Sequence, residues 1–341
     1  MNQVMKAAMI SAYKQTSPEI LEVPIPEPQA TDVLVQVACA SINPIDLKTM
    51  EGGLKMLLRY DFPLILGSDF AGTVVTVGAA VKDFKPGDRV FGRVQKNRIG
   101  TFAEYLAVTQ GDIALIPAPL SFTEAAALPL VGLTSYQALK EVMQIKPGDK
   151  VLIQAGSGGI GTVAIQIAKE LGAFVATTTS SRNFELVKKL GADLVIDYRQ
   201  QDFTEILSDY DYVFDTQGGT ILEKAFTIVK PGGQVVSITG LPNTRFAKTY
   251  GLPRWKTLAI RLASRRLNRL EKKTGVRYEF LFMRPDGRQL AQLAEMVTAG
   301  KLQPVIDRTL PFSEIKEAFA YSASGRARGK IILQMKAAPS E

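Results

Sequence analysis

The sequence predicts an α/β protein in which a doubly wound parallel sheet is joined to a β-rich domain. Strand-like and helical segments alternate over residues 150–237, and such alternation produces right-handed crossovers and a parallel sheet covered on both faces. Within this region an apolar run passes through a glycine-rich loop directly into a helical pattern. Short strand-like runs cut by proline and glycine turns occupy residues 1–125, and the same pattern returns after residue 303.

A chain of 341 residues is long for a single core, which favours two domains. We predict a β-rich domain over 1–124 and 303–341 and an α/β domain over 125–302, which carries a basic helical insertion at 241–283. The strands predicted in the β-rich domain are 33–38, 72–77, 89–91, 103–107, 304–310 and 330–334. Helices are predicted at 123–139, after Ser121 as N-cap, and at 313–322.

The elements of the α/β domain follow one another in regular alternation. The predicted strands are 151–153, 174–178, 194–197, 212–215 and 234–238, and the predicted helices are 160–171, 183–190 and 221–229. Gly172 and Gly191 stand where glycines end helices. A parallel sheet of this kind binds its ligand at the carboxyl ends of the strands.

Composition excludes several chemistries. The chain contains no histidine, so it has no histidine general acid or base and no Ser-His-Asp or Cys-His nucleophile. Its one cysteine, Cys39, cannot complete a Cys₄ or Cys/His zinc site and cannot form an intramolecular disulfide. We expect Cys39 to be a small buried strand residue in a protein of a reducing compartment.

The glycine-rich loop at 156–161 carries the clearest chemical signal. Gly156, Gly158 and Gly161 have the G-x-G-x-x-G spacing, which permits a tight turn, a close backbone approach to a pyrophosphate, and close packing of helix on strand. Ser157, Gly159 and Ile160 lie between them and complete the predicted dinucleotide cradle. The N–H groups at the start of the following helix favour phosphate. The alternative is a structural turn without a ligand.

The end of the second strand distinguishes two dinucleotides. NAD-binding turns place an acidic residue about twenty residues after the glycines, where it binds the ribose 2′-OH. This chain has Thr179, Ser180 and Arg182 there and no carboxylate, and hydroxyls with an arginine suit a 2′-phosphate. We therefore predict NADPH as the cofactor. In the alternative interpretation, Ser180 or Ser181 only caps the next helix.

Ordered motifs along nearly the whole chain identify a family resemblance. They are ASINPIDLKTMEGG (40–53), LGSDFAGTVVTVG (66–78), FKPGDRVFG (84–92), GTFAEYLAV (100–108), AAALPLVGLTSYQAL (125–139), AGSGGIG (155–161) and SGRARGKIIL (324–333). With them the chain resembles the zinc-independent, quinone oxidoreductase-like and enone reductase branch of the medium-chain dehydrogenase/reductase superfamily. The resemblance implies a Rossmann cofactor domain and a GroES-like catalytic domain. Where zinc-dependent relatives carry histidine and cysteine ligands, this chain has Ser68 and Asn43, so no metal is expected.

The resemblance implies NADPH-dependent hydride transfer to a quinone or to the activated C=C bond of an α,β-unsaturated carbonyl. The acceptor's own carbonyl withdraws electrons, so hydrogen bonds to a developing oxyanion replace a metal. Two alternatives stay open: a reductase of another activated alkene, of acyl or haloacrylate type, and a non-catalytic NADPH-binding or sensor protein.

The resemblance also implies individual site residues. Asn43 and Tyr60 are the candidate catalytic residues, and Asp46 and Leu241 are expected near the nicotinamide and substrate. Further cofactor contacts are implied for Thr134, Tyr198, Gln217, Thr239, Arg328 and Lys330. In each case the alternative is a fold-defining role, which for Asn43 would be the turn before Pro44.

The insertion is strongly basic. Ten lysines and arginines and one acid, Glu271, lie between residues 245 and 273, which is a local excess of nine positive charges in a chain of net charge +8. The apolar residues Trp255, Leu258, Leu262, Ala263, Leu267 and Leu270 are predicted to share one helical face. Three interpretations compete: a surface helix packed on its own chain or on a dimer partner, a helix on an anionic membrane (245–273), and a cap that attracts an acidic or acyl substrate.

Partners and location are predicted only broadly. We expect a small electrophilic substrate, no nucleic acid and, by resemblance, a homodimer. The first twenty residues lack a signal-peptide pattern and no apolar run is long enough to span a membrane, so a cytoplasmic location is expected, with peripheral membrane contact as the alternative.

Overall fold

The computed structural model describes residues 3–335 and divides into two units. Strands of the first unit come from the N-terminal and C-terminal parts of the sequence, and strands of the second unit come from the middle of the sequence. In chain order the strands of the described residues are β1 (Val4–Ile10), β2 (Glu19–Pro24), β3 (Asp32–Ile42), β4 (Leu64–Ile65), β5 (Asp69–Val77), β6 (Arg89–Arg93), β7 (Tyr105–Thr109), β8 (Ile113–Leu115), β9 (Lys150–Ile153), β10 (Phe174–Thr179), β11 (Leu194–Asp197), β12 (Tyr210–Asp215), β13 (Val229–Ser237), β14 (Arg277–Phe280), β15 (Ile306–Pro311) and β16 (Lys330–Gln334).

Helices separate these strands, mostly in the second unit. They are α1 (Pro44–Glu51), α2 (Phe122–Ala126), α3 (Pro129–Tyr136), α4 (Gly159–Glu170), α5 (Phe184–Lys189), α6 (Phe203–Ile206), α7 (Gly219–Ala225), α8 (Thr244–Thr249), α9 (Arg254–Ala263), α10 (Arg265–Thr274), α11 (Gly287–Thr298) and α12 (Ile315–Ala323). Short 3₁₀ turns lie at Gln110–Asp112, Ser181–Asn183 and Phe312–Glu314, and a π-helical turn, Gln137–Val142, continues α3.

The first unit contains the described residues up to Leu133 and from Arg284 onward, and the second unit is Thr134–Met283. These divisions differ from the predicted boundaries at 124/125 and 302/303. The difference arises because α2 packs on β3 and β5, and α11 packs on β8, so both helices belong to the β-rich unit. The predicted positions 1–2 and 336–341 of that domain lie outside the described residues.

In the first unit the main sheet has the order β15-β16-β3-β5-β6-β8, with β7 also paired to β3, and a second sheet has the order β2-β1-β4. The pairing of β16 with β3 is antiparallel, with Ile332 opposite Ser41. The prediction that the C-terminal tail rejoins the N-terminal domain is therefore confirmed. The core of this unit is aliphatic and aromatic, with Phe70, Phe102 and Leu66 fully buried.

In the second unit every strand pair is parallel, in the order β11-β10-β9-β12-β13-β14. This order winds outward in two directions from β9, as in doubly wound nucleotide-binding sheets. The predicted α/β fold is confirmed. Because all the strands run the same way, their carboxyl ends meet at one edge of the sheet, where the loops that follow β9 to β13 lie together.

Two predicted helices end or break elsewhere than expected. The segment 123–139 begins after Ser121 as predicted, with Glu124 N–H donating to the Ser121 hydroxyl in a capping box. It breaks before Pro129, which starts α3 because proline lacks the N–H that a helix interior needs. The predicted helix 221–229 ends at Ala225, since Val229 already pairs with Tyr210 in the sheet.

The insertion forms two helices rather than one continuous apolar face. A break at Ser264 separates α9 from α10. In α10, Leu267 is buried in the core of the second unit and Leu270 packs against that core. In α9, Trp255, Leu258 and Leu262 are exposed. The prediction of a single shared face is therefore wrong, because the break turns the two apolar stripes in different directions.

Two further expectations can be compared with the structure. Cys39 is buried in β3, its Sγ 3.6 Å from the Thr123 hydroxyl, and burial raises the pKa of the thiol, which makes it a structural residue. Among residues 3–335 no helix combines the length and the apolar character that a membrane span requires.

Candidate active site

The glycine loop between β9 and α4 has no room for side chains at two of its positions. A Cβ on Gly156 would lie 2.1 Å from the Thr177 hydroxyl oxygen, and one on Gly161 would lie 2.4 Å from the Ala155 carbonyl oxygen. A Cβ on Gly158 would meet nothing nearer than 3.3 Å. The first and third glycines therefore let strand, loop and helix pack closely, and α4 begins at Gly159 with its first N–H groups at the carboxyl edge of the sheet.

Gln154, directly before this loop, is fully buried without side-chain partners. Neither its Oε1 nor its Nε2 has a hydrogen-bond partner within residues 3–335, although the residue is 0% exposed. Native proteins leave few such groups unsatisfied, so this amide is available to an ordered water or to a bound ligand. Together with the glycines, it fits a dinucleotide at this edge.

The end of β10 forms a small polar pocket with the loop. The Thr179 hydroxyl lies 2.9 Å from the Ser157 hydroxyl, to which the Asn183 amide also donates at 2.9 Å. Ser180 stands at the N-cap of the turn Ser181–Asn183, but its side chain makes no capping bond. Arg182 is exposed beside it. The predicted hydroxyls and arginine thus lie together at one strand end.

A carboxylate on the strand beside this pocket connects two loops. Asp197, at the end of the neighbouring strand β11, accepts hydrogen bonds from the backbone N–H groups of Ser181 and Arg199, at 3.1 and 3.0 Å. It is 5% exposed. Its oxygens hold the two loops of β10 and β11 together. Tyr198, next to it, is 60% exposed.

A buried carboxylate also organises the ends of β12 and β13. Asp215 accepts from the backbone N–H groups of Gln217 and Gly218, at 3.1 and 2.9 Å, and from the hydroxyls of Ser237 and Thr239. Burial raises the pKa of Asp215, and these donors oppose the rise. The carboxylate therefore positions Gln217 and Thr239, both predicted cofactor contacts, at the edge that carries the glycine loop.

The remaining predicted residues of the second unit lie near the same edge or on its loops. Thr134 is buried on α3, and the hydroxyl of the next residue, Ser135, donates to the Ile160 carbonyl at 3.4 Å. Leu241 follows β13, is 50% exposed, and its carbonyl accepts from the Tyr278 hydroxyl at 2.9 Å. That these residues contact a cofactor or substrate stays a prediction.

In the first unit, a buried polar cluster joins the ends of several strands. Its members are no more than 4% exposed and are Ser41, Asn43, Asp46, Ser68, Asp69, Arg93 and Lys330. They meet because the sheet register places Ser41 opposite Asp69 and Asp69 opposite Arg93. Ser41 Oγ donates to Asp69 Oδ1 at 2.6 Å.

Asn43 makes hydrogen bonds in this cluster through both its side-chain amide and its backbone N–H. Its Nδ2 donates to Asp69 Oδ1 at 2.9 Å and to the Ser41 carbonyl at 3.1 Å, while its Oδ1 accepts from the Lys330 ammonium. Its backbone N–H donates to Asp46 Oδ2 at 2.8 Å and caps α1. The predicted turn role before Pro44 is thus present. Donation by Asn43 to an acceptor oxygen stays a prediction and would require one of these bonds to be given up.

Lys330 and Arg328 belong to one sequence motif but take different positions. The Lys330 ammonium lies 3.8 Å from Asp69 Oδ2, and Arg328 is exposed. Gly329 between them has φ +90° and no room for a Cβ, which would lie 2.2 Å from the Val305 carbonyl oxygen. The structure assigns Lys330 to the buried cluster; its predicted contact with a cofactor, and that of Arg328, stay predictions.

Tyr60 lies on the loop before β4. Its hydroxyl donates to the Lys96 carbonyl at 2.7 Å. Burial and the positive charges of Arg93 and Arg284 lower the pKa of the Lys96 ammonium to about 7. A catalytic role for Tyr60 stays a prediction.

Sequence reasoning did not single out Arg93, Gln154 or Asn183. Arg93 is 1% exposed, and its Nε has no partner among the described residues. Its signal in the sequence is the second of two arginines that enclose a short apolar run, RVFGR. Gln154 and Asn183 are polar residues that follow strands of the parallel sheet.

Burial and a neighbouring negative charge change the pKa of Asp46. Burial, and then the negative charge of Asp69, raise the pKa of Asp46 from 3.8 to about 7, although the Asn43 N–H and the Ser68 hydroxyl favour its ionised form. At neutral pH this carboxyl group is therefore close to half protonated.

We expect the free energy of unfolding to fall between about pH 4 and pH 7 because of Asp46. The folded state binds this proton more tightly than the unfolded state, so the contribution is fully present below the unfolded pKa and is lost as the pH rises through the folded pKa. In Asp46→Asn this part of the pH dependence should disappear. Urea unfolding of both proteins at several pH values measures it, and parallel pH profiles would contradict the assignment.

Comparison with known proteins places this architecture in a family. Residues 29–118 match the model of the alcohol dehydrogenase GroES-like domain, and residues 190–333 match a model described as zinc-binding dehydrogenase. The chain is 35% identical over 324 residues to 2-methylene-furan-3-one reductase of Solanum lycopersicum, covering 91% of this chain and 74% of the relative. It is 34% identical to the chloroplast envelope quinone oxidoreductase homolog of Arabidopsis thaliana, covering 93% of each.

A solved structure is similar over almost the whole length. The quinone oxidoreductase from Coxiella burnetii superposes with a TM-score of 0.82 at 32% identity, covering 98% of this chain and 100% of that one. The chain is a medium-chain dehydrogenase/reductase. It belongs to the quinone oxidoreductase-like and enone reductase branch, as the sequence motifs indicated, and it is an oxidoreductase with a nicotinamide cofactor.

The residues of this medium-chain reductase do not fit the zinc ion that the description of one matching model implies. Zinc sites in proteins are built from cysteine, histidine and carboxylate ligands, usually four. The chain has no histidine, and within residues 3–335 no group of three cysteine or acidic residues is arranged to hold a metal. Ser68 and Asn43 stand at the expected ligand positions, and the Lys330 ammonium already supplies a positive charge to Asn43 and Asp69.

Proposed function

We propose that this protein is an NADPH-dependent, zinc-independent reductase of quinones or of the activated C=C bond of α,β-unsaturated carbonyls. The observation that carries this proposal is the buried cluster in the first unit, where a lysine ammonium, and no metal-ligand set, stands among Asn43, Asp46 and Asp69. A site of this kind offers hydrogen bonds and fixed charge, so the acceptor must carry its own electron-withdrawing group. The names of the relatives from Solanum lycopersicum and Arabidopsis thaliana support the same acceptor classes.

The chemistry of hydride donation is supplied by the reduced nicotinamide when it is bound. The residues of the chain would bind and orient the cofactor and the acceptor. The glycine loop and the first N–H groups of α4 would hold the pyrophosphate, and Gln217 and Thr239 stand at strand ends along the same edge. Addition of hydride to the β-carbon of an enone would move an electron pair to the carbonyl oxygen, and a proton from water would complete the reduction. We propose Asn43 and Tyr60 as the residues that act on the acceptor, with Asp46 beside them.

Preference for NADPH over NADH is supported by the pocket at the end of β10. Ser157, Thr179 and Asn183 form a network of polar donors, and Arg182 is exposed beside it. Asp197, the carboxylate of the neighbouring strand, already accepts a backbone hydrogen bond at each of its oxygens. A 2′-phosphate would find charge-assisted donors here.

In Arg182→Ala we expect the KM for NADPH to rise by about tenfold or more while the KM for NADH changes little, because one charge-assisted contact to the 2′-phosphate is lost. Steady-state kinetics with both cofactors measures the ratio. Lys188→Ala on α5, another exposed cation of the second unit, is the matched control. An unchanged ratio in Arg182→Ala would show that another residue selects the cofactor.

The function is tested by NADPH oxidation against a panel of quinones, alkenals, enones, enoyl esters and haloacrylates. Turnover of quinones or enones supports the proposal, and product analysis separates quinone reduction from C=C reduction. Turnover of enoyl esters or haloacrylates alone would favour the alternative acceptor class. Tight NADPH binding with no turnover of any acceptor would favour a binding or sensor protein.

We also propose a homodimer in the cytoplasm, with contact to anionic membranes through residues 245–273. Support for the membrane contact comes from the charge of this segment. Sedimentation of the purified protein and cell fractionation test the assembly and the location.

A further inference from the structure

The apolar stripe of α9 is turned away from its own chain. Trp255 is 60% exposed, Leu258 56% and Leu262 47%, and no residue of α9 is buried. Positions 255, 258 and 262 are spaced three and four residues apart, so they lie on one side of the helix. These three residues are called the α9 face. Three large apolar side chains side by side in solvent are an unusual feature of a surface helix.

The α9 face has a basic border. Arg254 lies four residues before Leu258 and Arg261 three residues after it, so both cations adjoin the apolar stripe, and both are exposed. The only acid between residues 245 and 273 is Glu271, which pairs with Arg245. The surface around the stripe therefore carries an excess of positive charge.

The chain itself does not provide a cover for this face within the described residues. The apolar residues of α10 turn inward, with Leu267 6% exposed, and the core of the second unit is closed without α9. A second copy of the chain is a poor occupant of this face. A symmetric contact would bring two copies of the same basic border together, which like-charge repulsion disfavours.

The occupant must therefore combine an apolar layer with negative charge. A membrane surface with anionic headgroups has both, because leucine and tryptophan enter the boundary between headgroups and acyl chains while arginines remain at the phosphates. We propose that the α9 face docks on the surface of an anionic lipid bilayer, with Trp255, Leu258 and Leu262 inserted and Arg254 and Arg261 at the lipid phosphates; this rests on the membrane contact proposed above for residues 245–273 and names the residues that make it.

This docking is independent of cofactor and acceptor, so it can be tested without either. Trp255 is the only tryptophan of the chain, and it therefore reports on the α9 face without labelling. We expect its emission to shift to the blue with vesicles of phosphatidylglycerol and phosphatidylcholine, and to be quenched by lipids brominated in the acyl chain. Vesicles of phosphatidylcholine alone should bind at least about tenfold more weakly.

Two pairs of variants locate the contact. Leu258→Gln with Leu262→Gln should weaken vesicle binding about tenfold or more, whereas Ile206→Gln, an exposed aliphatic residue of α6, should not. Arg254→Gln with Arg261→Gln should weaken binding to anionic vesicles, while Lys188→Gln with Lys189→Gln on α5 should have a smaller effect. NADPH affinity of the α9 variants should equal that of the wild type.

Three results would overturn the proposal. One is an emission spectrum of Trp255 that does not change with anionic vesicles. Another is equal binding to neutral and anionic vesicles. The third is a Trp255 emission that is already blue-shifted without lipid and that moves to the red when the protein is diluted or when Leu258→Gln and Leu262→Gln are combined. That result would assign the α9 face to a contact between two copies of the chain. None of these results bears on NADPH oxidation, so failure here is distinguishable from failure of the proposed reductase function.

Discussion

In Gly161→Ala we expect NADPH affinity to fall by about a hundredfold or more, because the new Cβ would lie 2.4 Å from the Ala155 carbonyl oxygen and 2.6 Å from Gly156 Cα. Both neighbours are backbone atoms, so relief requires the loop to move away from α4. That movement displaces the N–H groups that would meet the pyrophosphate. We also expect the free energy of unfolding to fall by about 1–3 kcal/mol, as in other overpacked sites.

Gly111→Ala is the matched control for this prediction. Gly111 lies in the 3₁₀ turn Gln110–Asp112 of the first unit, and its Cβ would meet nothing within 4 Å, so both the NADPH affinity and the stability should stay close to those of the wild type. Fluorescence titration with NADPH and thermal unfolding measure the two effects. If Gly161→Ala bound NADPH as tightly as the wild type, the close approach of loop and helix would not be needed for the cofactor.

In Lys330→Met we expect a loss of about 3–5 kcal/mol in the free energy of unfolding, the range observed when one partner of a buried ion pair is removed. The Lys330 ammonium contacts Asn43 Oδ1 and lies 3.8 Å from Asp69, and all three residues are almost fully buried. Without it, the buried Asp69 side chain would lose its ion-pair partner while it stays close to Asp46. We expect kcat/KM to fall by at least about tenfold at a temperature where the variant remains folded, since Asn43 loses its orientation.

Urea unfolding of Lys330→Met at neutral pH, compared with Lys316→Met, tests this prediction. Lys316 is exposed on α12, so its replacement should change stability by no more than about 0.5 kcal/mol. In a double-mutant cycle, Asp69→Asn with Lys330→Met should cost less than the sum of the two single changes, because the lone charge is removed. Equal losses in Lys330→Met and Lys316→Met would mean that the ammonium is not required by the cluster.

The buried cluster occupies the positions where the sequence resemblance led us to compare this chain with zinc-dependent relatives. Asn43 and Ser68, the residues compared with metal ligands, belong in this chain to a network with two carboxylates and one ammonium. A lysine provides one positive charge without the Lewis acidity of a metal. A site with this charge suits acceptors that are already electron-poor, which agrees with the proposed quinone and enone substrates.

Local sequence was sufficient for much of the fold. Alternating strands and helices, the glycine spacing at 156–161 and the motif at 324–333 predicted the parallel sheet, the tight turn between β9 and α4, and the return of the tail to the first unit. Boundaries were less predictable. Helix α11 has an amphipathic pattern that suits either unit, and only its packing on β8 assigns it to the first.

The candidate site was predictable only in part, because hydrogen bonds between distant residues leave no local pattern. The sequence placed Lys330 in a cofactor-closing motif, whereas the fold pairs β16 with β3 and thereby brings the ammonium to Asn43, 287 residues away in the chain. Arg93 was overlooked because a charged residue at a strand end normally faces solvent. Its burial follows from the register that sets it opposite Asp69.

The basic insertion shows the same division between local pattern and packing. The positive charges and the spacing of the apolar residues between 245 and 273 predicted helices with a basic side. The break at Ser264 and the packing of Leu267 into the core were decided by the tertiary structure, since a helix buries its apolar stripe only where another element offers a complementary surface. Sequence by itself therefore determined the family, the two kinds of domain and the glycine turn between β9 and α4, which depend on short-range spacing. Tertiary structure alone decided that Lys330 completes a buried ion cluster and that the apolar side of α9 faces outward, because both depend on which distant surfaces meet.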